Sequence, residues 1–149
     1  MAPDPTPSAP LRQRQETVAI RTPGRGLTDL TPRLVEAVAR SGVTTGLCVV
    51  FCAHTSCSLV IQENAAPSAS HDLLAFLDRI APEGNPRTTH TAEGPDDMPA
   101  HLRAMLTRTS EAIPVVRGRL ALGTWQAVYL VEHRRRPHDR EVVVHVTGT

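Results

Sequence analysis

The 149-residue chain carries a formal net charge of +1 and only 3% aromatic residues, which excludes a strong field steering it onto a polyanion and a stacking surface for nucleic-acid bases. Its length suits one domain, and 40% hydrophobic residues supply enough apolar surface for a core. No apolar run approaches a membrane span, the N-terminus lacks the apolar segment of a secretory signal, and three cysteines make no disulfide framework, so the expected setting is a reduced cytoplasm with no membrane and no nucleic acid among the partners.

Residues 1–15 (MAPDPTPSAPLRQRQ) are rich in proline and polar side chains and read as a disordered leader ahead of a single domain over 16–149. Glu16–Arg21 alternates as a strand does, and Pro23-Gly24-Arg25-Gly26 is a turn. Thr31 and Pro32 suit the cap and first position of a helix whose apolar stripe is Leu34, Val35 and Val38, with Gly42 placed to stop it. Gly46–Ala53 is a continuous apolar run, expected as a strand buried on both faces, and Ser56–Gln62 is a second strand. A second helix starts near Pro67-Ser68 and carries Leu73, Leu74, Leu77 and Ile80 at helical spacing. Ala81–Gly94 is a loop of the length at which loops are functional or mobile. A third helix begins around Asp97-Met98-Pro99, with Leu102, Met105 and Leu106 on it. Ile113–Val116 leads into an Arg117-Gly118 turn. Leu120–Glu132 is expected as one long strand kinked at Gly123, with Trp125 packed in the core. Arg140–Thr147 is a β-branched final strand. Mixed helices and strands with hairpins at the C-terminal end point to an α+β fold with largely antiparallel pairing.

The polar residues that interrupt this apolar pattern carry the candidate chemistry. His54 emerges from an apolar strand, placed either as a ligand or acid/base group or as a core histidine bonded to backbone. His90 and His101 flank the acidic segment Glu93, Asp96, Asp97; they suit a zinc-like ion if the loop folds back, and otherwise the segment is a solvated loop with Asp96 or Asp97 capping the third helix. Asp72 in His71-Asp72 is either a helix-dipole residue or a carboxylate aimed at a site. Glu63-Asn64 ends a strand, as sites or turns do. Gln126 and Glu132 share parity along their strand and so share a face. Arg134-Arg135-Arg136 with Arg140 is a basic cluster suited to a phosphate or to solvent. Cys48, Cys52 and Cys57 read as core.

The stretches HTSCSLVIQENAAP (54–67), HDLLAFL (71–77), H…EGPDDMPAHLRAML (90–106) and GRLALGTWQAVYLVEHR (118–134), in this order, resemble the YjbQ family, whose members have been described as secondary thiamine-phosphate synthases. The resemblance runs over about residues 16–148. It implies a single compact α+β domain with a mostly antiparallel, β-sandwich-like core and about three helices, assembled as a homotrimer, with a polar pocket near a subunit boundary. It implies transfer of hydroxymethylpyrimidine from its diphosphate to thiazole phosphate, hence a small phosphorylated substrate. By motif, the expected pocket comprises His54, Glu63, Asn64, Asp72, His90, His101, Gln126 and Glu132, and residue chemistry makes His54, His90 and His101 the expected ligands of a divalent metal (zinc or magnesium). Asp72, Glu63 and Glu132 are the expected catalytic carboxylates, and Thr55, Ser56, Asn64, Gln126 and Arg140 the substrate-binding groups. Ala66 stands where the family commonly has an aspartate. The alternatives are a metal-dependent hydrolase of a small phosphorylated or acylated metabolite, with Asp72 or Glu132 activating water, and a non-enzymatic module that binds a metal or metabolite.

Overall fold

The computed structural model describes residues 9–149; residues 1–8 of the expected leader lie outside the described residues. The elements in chain order are β1 (Arg12–Thr22), β2 (Gly26–Asp29), α1 (Thr31–Ser41), β3 (Thr45–Cys52), β4 (Cys57–Glu63), α2 (Pro67–Ile80), α3 (Asp97–Leu106), β5 (Ser110–Val116), β6 (Arg119–Leu120), β7 (Gln126–Glu132) and β8 (His138–Gly148). The strands form a five-stranded sheet in the order β1-β8-β3-β5-β6 and a three-stranded sheet in the order β2-β7-β4. Every pairing between these strands is antiparallel.

The core lies between the two sheets. Val18, Val50, Val142, Val144 and Val146 of the larger sheet join Leu59, Val128 and Leu130 of the smaller, with Leu34, Ala37 and Val38 of α1 at one end. The helix forms where expected, and Gly42 ends it in the left-handed conformation (φ 68°). Its start is different. The Thr31 hydroxyl accepts the Val128 N–H (2.9 Å), tying α1 to β7, and Asp29 Oδ1 instead accepts the Thr31 N–H (2.8 Å).

Four expectations are corrected by tertiary pairing. Arg12–Gln15 belong to β1, not to the leader: their register against His145–Gly148 satisfies a polar backbone that shows no apolar alternation. β3 is buried on one face only. Cys48, Val50 and Cys52 point into the core, whereas Leu47 (37% exposed) and Phe51 (46%) lie on the outer face of the sheet. The expected strand Leu120–Glu132 is two strands separated by a turn. There Gly123 N–H donates to Gln126 Oε1 and Gln126 N–H to the Gly123 carbonyl. Trp125 falls in that turn and is 64% exposed, so it is no core residue.

Candidate metal and substrate site

α3 begins beside the end of the long loop 81–96, and its first turns place Asp97 and His101 one helical turn apart on the same face. His90, on the loop, comes back to meet them. His90 Nε2 donates to Asp97 Oδ2 at 2.9 Å, and His101 Nε2 lies 3.2 Å from the same oxygen. One donor atom from each residue lies within 4.8 Å of the other two, a grouping able to hold a metal ion. Asp97 is 1% exposed while His90 is half exposed, so the carboxylate forms the floor and the imidazoles the rim. Arg134 holds the floor in place: Nη1 donates to Asp97 Oδ1 (2.6 Å), Nε to Asp96 Oδ2 (3.2 Å) and Nη2 to the Glu93 carbonyl (2.9 Å). Burial works against ionisation of Asp96, but the Arg135 N–H and the Arg134 guanidinium outweigh it and hold the carboxyl below its ordinary range. Neither Asp96 nor Asp97 caps α3 with its side chain.

The tautomer of His101 is set by its surroundings. Nδ1 lies 2.8 Å from the Thr55 carbonyl, which only accepts, so Nδ1 carries the proton. Nε2 then faces Asp97 Oδ2 at 3.2 Å, a contact that a proton or a cation between the two atoms can bridge. A backbone carbonyl fixing Nδ1–H while Nε2 faces a carboxylate is the outer-shell pattern of metal-ligating histidines. The donor chemistry therefore fits a divalent ion.

The sequence pointed to His54 as the third ligand, and the structure keeps it out of this group. Its Nε2 accepts the Glu141 N–H at 2.9 Å. Burial, reinforced by the nearby Arg140 cation, lowers its pKa and keeps the ring neutral. His54 is thus a backbone-bonded histidine at the edge of the core. It still borders a cleft of about 430 Å³ shared with Thr55, His101, Met105 and Thr109. A second cleft, about 560 Å³, lies between Ala92–Asp96 and Arg134–Arg136 with His138.

Glu132 and Arg140 are likewise committed elsewhere. Both are buried (1% and 6% exposed). Arg140 donates Nη2 to Glu132 Oε1 (2.6 Å), Nε to Oε2 (2.7 Å) and Nη2 to Ser56 Oγ (3.0 Å). Oε2 also accepts the Thr22 hydroxyl (2.8 Å) and Oε1 the Arg134 N–H (3.0 Å). Burial would raise the Glu132 pKa, but Arg140, the Arg134 N–H and Thr22 together hold it below the ordinary carboxylate value. With its acceptor positions taken, Glu132 is a structural partner, Arg140 spends Nε and Nη2 on Glu132 and Ser56, and Ser56, 8% exposed, is part of the same network.

The remaining expected residues lie at the far end of the small sheet. In the β4–β7 register Cys57 faces Glu132 and Glu63 faces Gln126, and six steps along a strand cover about 20 Å. Asn64 bonds to the Trp125 carbonyl through its N–H (3.0 Å). Asp72 is exposed on α2, on the N-terminal side of Asp78, which pairs with Arg25 and Arg103. Six helical residues separate the two acids, about 9 Å. One chain thus unites His90 and His101 with the unforeseen Asp97, puts Thr55 beside them, and leaves Glu63, Asn64, Asp72 and Gln126 apart. The missed signal was the Asp97-x-x-x-His101 spacing, which places both groups on one face of α3.

The sequence matches the family model described as UPF0047 protein YjbQ-like over residues 16–149. The chain belongs to this family. It is 55% identical over 141 residues to UPF0047 protein sll1880 of Synechocystis sp., covering 95% of this chain and 96% of that protein. It is 35% identical to UPF0047 protein YjbQ of Escherichia coli O157:H7, covering 90% and 97%. Among solved structures, the yjbq/upf0047 family protein of Clostridium acetobutylicum superposes with a TM-score of 0.81 at 36% identity over 88% of this chain and 98% of that one. A YbjQ-like protein of unknown function from Sulfolobus solfataricus P2 gives 0.82 at 25% identity, covering 92% and 99%. The three helices and antiparallel, half-barrel sheets are thus the family's fold. No helix among the described residues is long and apolar enough to cross a membrane.

Proposed function

We propose that His90, Asp97 and His101 hold a divalent ion and that a small phosphorylated metabolite binds in the clefts beside it. The observation that carries this reading is the approach of His101 Nε2 to within 3.2 Å of Asp97 Oδ2, with Nδ1 held by the Thr55 carbonyl. Two imidazole nitrogens and one carboxylate oxygen suit zinc better than magnesium, which takes oxygen ligands. When bound, such an ion would supply Lewis-acid stabilisation of the charge on a departing diphosphate. The chain's own residues supply position: Arg134 fixes the carboxylate, Thr55 fixes the His101 ring, and Arg136 and His138 line the neighbouring cleft where an anionic group would sit.

The reaction we propose is transfer of hydroxymethylpyrimidine from its diphosphate to the ring nitrogen of thiazole phosphate, releasing diphosphate. Its support is chemical. The thiazole nitrogen needs no base to become a nucleophile, whereas hydrolysis requires a free carboxylate near the ion. Glu132 is consumed by Arg140, and Asp72 stands outside the His90, Asp97 and His101 group. Transfer therefore suits the geometry better than hydrolysis.

The experiment is zinc analysis and calorimetry on wild type, D97N and H101A, followed by product assay from the two precursors. Stoichiometric zinc lost in both variants, with product formed only by zinc-loaded wild type, is the expected result. Zinc binding unaffected by either substitution would overturn the site. Bound zinc with no product would overturn the reaction, turnover of phosphoesters then favouring the hydrolase and binding alone the non-enzymatic module.

We also propose the homotrimer that the family resemblance implies. Its support is the outer face of the large sheet, where Leu47, Phe51 and Val116 stand exposed (37%, 46% and 47%) beside the half-buried Val49 and Val143. Apolar surface of this kind on a sheet is ordinarily covered. Sedimentation showing a monomer stable to concentration would remove it.

A further inference from the structure

Cys52 is the last residue of β3 and Cys57 the first of β4, so the pair brackets the crossing Ala53-His54-Thr55-Ser56 from the large sheet to the small one. Both thiols are buried (1% and 0% exposed), and their sulfurs lie 3.2 Å apart. That is close contact for two sulfurs, about 1.2 Å beyond the length of a disulfide bond. Cys48 points into the same core but stands four residues back along β3, about 13 Å away. Two of the three thiols are therefore preset for each other, and the third is out of reach.

The bracketed segment is bonded through two of its side chains and two of its carbonyls. His54 Nε2 accepts from Glu141, the Thr55 carbonyl accepts from His101, Ser56 Oγ accepts from Arg140, and the Ser56 carbonyl accepts from His133 N–H. A covalent tie between its two ends acts directly on the position of the Thr55 carbonyl.

We propose that Cys52 and Cys57 are an oxidisable dithiol, a covalent modification site that closes a ring over Ala53–Ser56. The oxidant is a hydroperoxide. One thiol takes an oxygen from the peroxide, becoming a sulfenic acid as the O–O bond breaks and water (or an alcohol) leaves. The other sulfur then attacks, the S–S bond forms, the S–O bond breaks, and a second water departs with the remaining thiol proton. Two thiols are oxidised by two electrons and one peroxide is reduced by two. The proposal rests on the sulfur contact and is independent of the metal reading.

The test uses the full chain with hydrogen peroxide as probe. Treated protein is denatured, alkylated and mapped by mass spectrometry, beside C48A, C52A and C57A. Wild type and C48A are expected to lose two alkylatable thiols, with peptides bearing Cys52 and Cys57 joined, a mass lower by two hydrogens, and full reversal by dithiothreitol. C52A and C57A are expected to form no intramolecular cross-link. The oxidised protein should also melt at a higher temperature than the reduced one, since a cross-link restricts the unfolded chain. A cross-link involving Cys48, over-oxidation without a disulfide, retention of all three thiols at peroxide doses that oxidise a control dithiol, or a lower melting temperature would each overturn the proposal.

Discussion

Glu132→Gln removes one member of a buried, fully bonded ion pair while keeping the side chain's shape. Glu132 and Arg140 are 1% and 6% exposed, and the carboxylate satisfies Arg140 through both oxygens. Breaking such a pair from one side strands a buried charge and costs about 3–5 kcal/mol. For a chain of this size each kcal/mol moves the melting temperature by about 2–4 °C, so E132Q should melt roughly 10 °C below wild type. The double variant E132L/R140M leaves no charge behind and should cost less than either single substitution, though not nothing, because the Thr22 and Ser56 hydroxyls lose a partner. The pH dependence has a fixed sign. Glu132's pKa is lowered in the fold, so its contribution is present above the ordinary value of 4.5 and is lost as pH falls below it through the folded value. Urea unfolding and thermal melts at one protein concentration, on wild type, both singles and the double, measure all of this. An E132Q cost under about 1 kcal/mol, or a double variant worse than the sum of the singles, would refute the argument that the pair is structural.

His133 is 1% exposed, its Nε2 sits 2.7 Å from Ser58 Oγ, and burial followed by the nearby Arg103 cation pushes its pKa down to about 4. Its folded value lies below the unfolded one, so wild type should lose about 3 kcal/mol as pH falls from 6.5 to 4, and H133Q should flatten the stability curve in that window alone. Ala66 is the N-cap residue of α2, in extended conformation and with no side-chain bond to the helix's first N–H groups. Ala66→Asp should therefore raise stability by about 1 kcal/mol, read as a higher denaturation midpoint. An unchanged midpoint would deny position 66 a capping role.

The helices were legible because each carries its own local signal: Pro32 and Gly42 for α1, Pro67 for α2, Asp97 and Pro99 for α3. The strands were legible only where apolar alternation or β-branching marks them. Arg12–Gln15 become strand through pairing with β8, which no local pattern records. In sequence the Gly123 turn looks like a kink because the apolar residues on either side look continuous, while the hydrogen bonds that break the strand join Gly123 to Gln126, one through the Gln126 side chain and one through its backbone. At the site, motif similarity collected the right kinds of residue without their distances. His90 and His101 converge because the 81–96 loop is pinned by Arg134, Arg135 and Arg25 against Asp96, Asp97 and Glu83. Those contacts span the chain, so the replacement of His54 by Asp97 in the cluster had to come from tertiary structure.

Glu63, Asn64 and Gln126 lie at the opposite end of the β4–β7 pair from Cys57 and Glu132, about 20 Å along the strand, a distance no rotamer change closes. If they serve the proposed reaction, they do so on a neighbouring subunit, with each site combining the His101 end of one chain and the Glu63 end of another. That arrangement predicts complementation. In the proposed trimer, H101A and E63A assemblies should each be inactive. After dissociation and random reassembly at equal ratio, a site is intact only where the cluster comes from an E63A chain and the far end from an H101A chain, which random pairing makes about a quarter of all sites. Product formation near a quarter of the wild-type rate is the expected reading. Activity no higher than the unmixed variants, with exchange verified by labelled subunits, would confine chemistry to the cluster of one chain and leave Glu63 and Gln126 as residues of the β4–β7 end alone.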